Sequence, residues 1–293
     1  DHVSASFIPS CGRCRYCSTG RQNLCDAGAG AMQTGMITDG TSRHFLHGEP
    51  IKLMAKLGTF AEYTAVAEAS LIKVDDDLPL DVVALVSCGV ATGWGSATNR
   101  ADVRPGDTVV VVGIGGIGIN AVQGAAMAGA KRVIAVDPVE FKREKAMEFG
   151  ATHSHASIQD ALGALSETTW DRGFDKVIMT CGVGNGDVLG EAFWLGGKRS
   201  KIVVTNIHPV GEGTIAIPAV FLTVFEKQLI GSLFGSANPR KDIPKLLELY
   251  TQGLLDLDGL VTNTYTLDEI NQGYDDMNSG KNIRGVLVFE HTD

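Results

Sequence analysis

The stretch VVVVGIGGIGINAVQGAAMAGAKRVIAVD, residues 109–137, limits what this chain can fold into more than any other segment. It runs from an apolar, strand-like segment through a turn carrying Gly113, Gly115 and Gly118 in G-x-G-x-x-G spacing, then a helical segment, then a second apolar run closed by Asp137. Strand, turn, helix, strand and acidic residue in that order make a βαβ unit able to bind a dinucleotide. Gly113 permits the tight turn, Gly115 lets the backbone approach a pyrophosphate, and Gly118 lets the helix pack on the strand. Gly116 falls in the same cradle. The helix N-terminus then offers unpaired N–H groups and its positive dipole end to the phosphates. Asp137 would accept hydrogen bonds from the adenosine ribose hydroxyls and repel a 2′-phosphate, so NAD is favoured over NADP. The competing reading is a Gly-rich βαβ turn without a ligand, and the acidic residue in place weighs against it.

From Thr108 to Ala130 the chain carries no charge, and such a length could cross a bilayer. It contains six glycines together with Asn120 and Gln123, so a buried strand followed by a helix accounts for it better. A length of 293 residues predicts about two domains. The net charge of −9 leaves no general basic footprint for nucleic acid, whose phosphates need clustered Lys and Arg. Neither a nucleic-acid partner nor a membrane is expected. The first residues, DHVSASF, show no basic segment followed by an apolar core, so no signal peptide is expected and a cytoplasmic location is. The chain also lacks an initiator Met and begins as if within a strand, as expected of part of a longer protein.

Residues 1–89 mix short β-rich runs such as FAEYTAVAEASLIKV with loops punctuated by Gly and Pro. Over 90–233 the pattern changes. The apolar runs TVVVVG, RVIAVD, FDKVIMTCG, KIVVTN and KQLIGSLFG read as buried parallel strands, with helical segments such as FKREKAMEF between several of them. That pattern predicts an α/β fold with a doubly wound parallel sheet. Residues 234–293 add a helix at DIPKLLELYTQG, another around LDEINQGYDDMNSG, and a closing strand at GVLVFE.

Four of the six cysteines, Cys11, Cys14, Cys17 and Cys25, lie in the spacing C-x2-C-x2-C-x7-C. A disulfide cluster is disfavoured in a chain of cytoplasmic character. A ferredoxin-type cluster shares the first three positions, but it wants a fourth Cys after three residues followed by Pro, and the chain offers neither. Four thiolates from one loop suit tetrahedral Zn2+ in a closed, structural site, with Arg13, Arg15 and Arg21 able to offset the charge.

A nucleotide fold preceded by such a lobe resembles the zinc-dependent alcohol dehydrogenases of the medium-chain dehydrogenase/reductase superfamily. The segments DGTSRH, LGTFAEYTAV, SCGVATGWGSA, VDPVEFKRE, GSLFGSANPRKDIPKLLELY and INQGYDDMNSGKNIRGVLVF are similar to the bacterial NDMA-dependent alcohol dehydrogenases, and the likeness covers essentially the whole chain. The resemblance implies a GroES-like, β-rich catalytic domain, discontinuous over 1–89 and 234–293, wrapped around a Rossmann NAD-binding domain at 90–233. It implies that Cys88 is the last ligand of a catalytic zinc, that Thr92 and Ile117 pack against the nicotinamide, that Lys142 contacts the adenosine ribose, and that Arg284 approaches the pyrophosphate. Each has a plainer alternative: packing for Thr92 and Ile117, solvated charge for Lys142 and Arg284, an inert buried thiol for Cys88. It further implies a small alcohol or aldehyde substrate, a homodimer or homotetramer joined near KQLIGSLFG, and a tightly held cofactor recycled by another electron acceptor, including an acceptor protein.

The departure from the family is as informative. Its catalytic zinc takes two Cys and one His, leaving a position open to the alcohol, and the other Cys and a Gly-His-Glu segment lie in the family upstream of the strand resembling DHVSASF. Those residues and the start of the proton relay are not in this sequence, so the 293-residue chain alone is expected to be inactive. Cys181 reads as a core thiol and His44 and His47 as solvated loop histidines, while His153, His155, His208 and His291 fit no ligand pattern. Two other functions remain open: a thiol-dependent (glutathione or mycothiol) formaldehyde dehydrogenase, and a noncatalytic NAD-binding scaffold with one structural zinc. A zinc-ribbon nucleic-acid module is disfavoured by the negative charge and by cysteines drawn from one loop.

Overall fold

The computed structural model describes residues 1–28, 35–37, 39–211 and 214–289. The chain divides into two compact units, Asp1–Ala91 with Ala237–Asp293, and Thr92–Ser236. The first unit opens with β1 (Val3–Ala5), β2 (Phe45–Leu46), β3 (Glu49–Pro50) and β4 (Leu71–Lys73). β1 pairs antiparallel with β4, and β2 with β3 through His47 and Gly48, whose φ values of 51° and 86° are those of a two-residue hairpin turn. α1 (Leu80–Val86) follows Pro79 and buries Val82, Val83, Leu85 and Val86. α2 (Gly89–Gly95) carries the chain into the second unit at Thr92 and runs on into a π-helical turn, Ser96–Ala101.

The second unit alternates strand and helix: β5 (Thr108–Val112), α3 (Gly118–Met127), β6 (Arg132–Val136), α4 (Glu140–Glu148), β7 (His153–His155), α5 (Ile158–Gly163), α6 (Leu165–Thr169), β8 (Phe174–Met179), α7 (Gly186–Leu195), β9 (Gly196–Val204), α8 (Ala219–Val224) and β10 (Gln228–Gly231). The six strands are all parallel in the order β10-β9-β8-β5-β6-β7. Numbered within the unit, that is the 3-2-1-4-5-6 order of a doubly wound dinucleotide fold, whose ligand crevice opens where the winding reverses, outside the carboxyl ends of β5 and β8. β5 is buried at every residue, as a central parallel strand covered on both faces must be. Val110, Val112, Ile134, Val136, Val177 and Ile202 pack with Phe174 and Phe193 in one core. The uncharged stretch 108–130 is accordingly a strand and a helix. The sheet has one strand more than the apolar runs suggest, because β7 is only His-Ser-His at an edge and carries no apolar signature.

The chain then returns to the first unit with α9 (Pro239–Thr251), β11 (Val261–Tyr265), α10 (Ile270–Asn278) and β12 (Arg284–Leu287). β11 and β12 pair in parallel around α10. α9 starts with Pro at a position whose N–H would be unpaired anyway, and Asp242 accepts the Asn238 N–H at 2.7 Å.

Candidate functional site

At the carboxyl end of β5 the Gly-rich turn is defined by what a methyl group would meet. Gly113 has φ +93°, and a Cβ there would lie 2.7 Å from the Cys181 nitrogen, so the turn runs directly over the end of β8. A Cβ on Gly118 would lie 1.9 Å from the Gly113 carbonyl oxygen, so α3 can start this close to β5 only with glycine. Gly115 differs: nothing lies within 4 Å of its Cβ position. Packing explains two of the glycines, and the third borders open space beside the first turn of α3, where a phosphate would approach backbone N–H groups. The donors and the space fit a dinucleotide pyrophosphate.

Side chains hold this turn in shape. Thr180, just beyond β8, donates its hydroxyl proton to the Gly113 carbonyl at 2.6 Å. The Asn120 amide donates to the Gly116 carbonyl at 2.8 Å. Asp137, buried at the end of β6, accepts the Ile114 N–H on one carboxylate oxygen at 2.7 Å and the Val139 N–H on the other at 2.9 Å. Each oxygen keeps a further lone pair for a ribose hydroxyl. Asp137 therefore anchors the Gly-rich turn. Thr180 and Asn120 were not singled out from sequence, because a Thr after a strand and an Asn in a helix have no distinctive pattern.

Thr92 is buried on α2, and Ile117 sits at the N-terminal boundary of α3. The two elements touch through backbone, since a Cβ on Gly93 would fall 1.9 Å from the Ile117 carbonyl oxygen. Lys142 is half-buried in the first turn of α4, five residues beyond Asp137 in the chain. Cys181 is half-buried with its Sγ 3.6 Å from the Val112 carbonyl oxygen, and burial raises its pKa.

In the first unit, Cys88 is exposed between α1 and α2, unlike an inert core thiol. Arg284, at the start of β12, lies flat against Gly89, where a Cβ would meet its Nη2. Desolvation lowers the Arg284 pKa, opposed by the Cys88 sulfur. The Arg284 guanidinium has no hydrogen-bond partner among the described residues, which leaves its donors available to an anion. His44 is half-buried with Nε2 3.4 Å from the Thr64 hydroxyl, His47 is exposed, and His291 lies outside the described residues.

The sulfurs of Cys11, Cys14, Cys17 and Cys25 all lie within 4.8 Å of one another, the one group of three or more His, Cys, Asp or Glu side chains among the described residues able to hold a metal. Cys11 and Cys17 Sγ are 3.9 Å apart, close to the sulfur separation of about 3.8 Å that a tetrahedron with 2.3 Å Zn–S bonds requires. Backbone N–H groups point at the sulfurs, Cys11 N to Cys25 Sγ at 3.5 Å and Cys17 N to Cys14 Sγ at 3.4 Å. Backbone amides of Asp26 and Cys17 pull the Cys14 thiol down to about 6, while burial pushes Cys17 up to about 12 and also raises Cys25. Only a cation at the centre lets all four be thiolates together. The donor set therefore fits a structural zinc.

A doubly wound NAD-type crevice and a four-cysteine lobe on a β-rich unit define a zinc-type dehydrogenase. Residues 1–76 match the family described as "Alcohol dehydrogenase GroES-like domain", and residues 116–252 that described as "Zinc-binding dehydrogenase". The chain is 52% identical over 288 residues to the NDMA-dependent alcohol dehydrogenase of Amycolatopsis methanolica, covering 98% of this chain and 77% of that protein. It is 50% identical to putative alcohol dehydrogenase D of Mycobacterium tuberculosis strain H37Rv, over 98% of this chain and 78% of that one. The crystal structure of benzyl alcohol dehydrogenase from Acinetobacter calcoaceticus superposes with a TM-score of 0.88 at 31% identity, covering 99% of this chain and 78% of that chain. The chain belongs to the zinc-type alcohol dehydrogenases of the medium-chain dehydrogenase/reductase superfamily. Among the described residues no single helix is long and apolar enough to cross a membrane.

Proposed function

We propose that this protein oxidises a small alcohol to an aldehyde or ketone with NAD as hydride acceptor. The observation that carries the reading is the open face at Gly115, framed by two glycines that packing requires and by the buried Asp137. Gly115 and the first turn of α3 bind the pyrophosphate. Asp137 and Lys142 orient the adenosine ribose, and the Asp137 carboxylate disfavours a 2′-phosphate. Thr92 and Ile117 form a wall for the nicotinamide, and Arg284 supplies a cation to the phosphates. Zinc held at Cys88 would supply a Lewis acid to the alcohol oxygen, and NAD the hydride acceptor. Among the described residues Cys88 belongs to no group of three or more His, Cys, Asp or Glu side chains able to hold a metal. Cys11, Cys14, Cys17 and Cys25 hold the second, structural zinc.

Residues 1–89 and 234–293 serve in this reading as the catalytic domain and 90–233 as the cofactor domain. Two copies join along β10, supported by its position at the edge of the sheet with Leu229 and Ile230 half-exposed. The test is NADH formation by protein purified from the cells that make it, with simple alcohols compared against hydroxymethyl adducts of glutathione and mycothiol. Turnover of simple alcohols, two zinc per chain, and loss of turnover but not of NAD binding in Cys88→Ser are expected. Preference for the thiol adducts would move the substrate to that class. One zinc per chain and no turnover would leave an NAD-binding scaffold.

A further inference from the structure

Three hydroxyl side chains from three separate segments meet inside the second unit. Ser96, fully buried at the start of the π-helical turn, has its Oγ 2.7 Å from the Thr92 carbonyl oxygen, 2.9 Å from Thr205 Oγ1 and 3.1 Å from Ser232 Oγ. Thr205 directly follows β9 and Ser232 directly follows β10, so the cluster lies at the carboxyl ends of two neighbouring parallel strands. Proton counting sets the direction of every bond. A serine hydroxyl has one proton and two acceptor positions. The Thr92 carbonyl can only accept, so the Ser96 proton goes to it, and both Thr205 and Ser232 donate to Ser96 Oγ. Ser96 is thereby saturated, with one bond donated and two accepted.

The same turn is also tied to the end of β10 and the loop after it, where Asn99 Nδ2 donates to the Gly235 carbonyl at 3.3 Å and Arg100 Nε to the Gly231 carbonyl at 2.8 Å, and glycine admits further backbone approaches. A Cβ on Gly95 would fall 2.4 Å from the Gly235 carbonyl oxygen, and one on Gly124 would fall 3.0 Å from the Trp94 carbonyl oxygen. Of these bonds, the one from the hydroxyl cluster grips the carbonyl of Thr92 itself, the residue assigned above to the nicotinamide wall. π-Helical turns also recur at functional sites, where they displace one residue from the regular ladder.

We propose that Ser96, held by donors from Thr205 and Ser232, is a positioning residue of the nicotinamide pocket that keeps the Thr92 turn in register with Ile117. The proposal rests on the reading of Thr92 and Ile117 as ring contacts. It is tested by calorimetric titration of the protein, purified from the cells that make it and freed of cofactor, with NADH and with ADP-ribose, which lacks the nicotinamide. Ser96→Ala, and separately Thr205→Val combined with Ser232→Ala, are expected to raise the NADH dissociation constant about fivefold, the equivalent of one lost buried hydrogen bond, and to leave ADP-ribose binding unchanged. Thr205→Ser keeps the donor and retains native NADH affinity. Equal weakening of NADH and ADP-ribose, or no change in either, overturns the proposal. Thr92→Ala separates the two failures: if it weakens NADH selectively while the cluster variants do not, only the positioning role falls. If it weakens neither ligand, the ring-contact reading falls and the proposal with it.

Discussion

Gly115 and Gly118 belong to one motif, yet alanine at the two positions has opposite consequences. At Gly118 the new methyl would sit 1.9 Å from the Gly113 carbonyl oxygen and 2.8 Å from Thr180 Oγ1. A carbon–oxygen contact needs more than 3 Å, so α3 must retreat from β5 by about 1 Å, an overpacking cost of about 1–3 kcal/mol. The methyl also crowds Thr180 Oγ1, and loss of its bond to Gly113 would add about 1 kcal/mol. Gly118→Ala is thus expected to lose about 2–4 kcal/mol, a fall in Tm of roughly 5–12 °C for a unit of this size. At Gly115 nothing lies within 4 Å and the φ is not left-handed, so alanine is neutral or stabilising by up to about 1 kcal/mol. Its methyl occupies the face proposed for the pyrophosphate, and NADH affinity is expected to fall at least about tenfold, or about 1.4 kcal/mol. Thermal denaturation without ligand and NADH fluorescence titration read the two effects separately. NADH binding by Gly115→Ala as tight as by the native chain would refute the assignment of that face, and an unchanged Tm for Gly118→Ala would refute the packing argument.

Lys227 is buried with its Nζ 2.8 Å from the Phe193 carbonyl oxygen and 4.2 Å from the Phe193 ring centre. Burial lowers its pKa from 10.5 to about 8, while the carbonyl and the ring face favour the charged form and oppose the shift. The unfolded chain therefore binds more protons between pH 8 and 10.5, so stability rises with pH there: the gain is complete above the unfolded value and is lost as pH falls through about 8. Its upper bound is on the order of 3 kcal/mol, and denaturant titrations at both ends of this range should show the rise in the native chain and not in Lys227→Met. Chelating the zinc is expected to release the segment around Cys11–Cys25, which holds itself by short turns and sulfur contacts, giving new protease cleavage there while the sheet of the second unit stays protected. Cleavage that is unchanged after one zinc per chain has been removed would count against a structural role for that metal.

The Gly-rich turn and the cysteine lobe were legible in the chain because each is local. Their geometry is set within a few tens of residues by φ values that only glycine takes easily and by ligand spacing in a single loop. β7 was not legible, because a three-residue edge strand forms through pairing with β6 and has no apolar run of its own. Asp137 was legible as an acidic residue at the end of a strand, but its bond to Ile114 joins positions 23 apart and was not.

Local order along the chain also determined the alternation of strand and helix, the nucleotide turn and the metal loop, since periodicity and turn chemistry act between near neighbours. Tertiary structure alone decided that Ser96 meets Thr205 and Ser232, that Arg284 lies on Gly89, and that Thr180 closes the Gly113 turn. Serine, threonine and arginine have no periodic signature. Where their protons and charges go is settled by which strand ends the winding of the sheet, and the return of the chain, bring side by side.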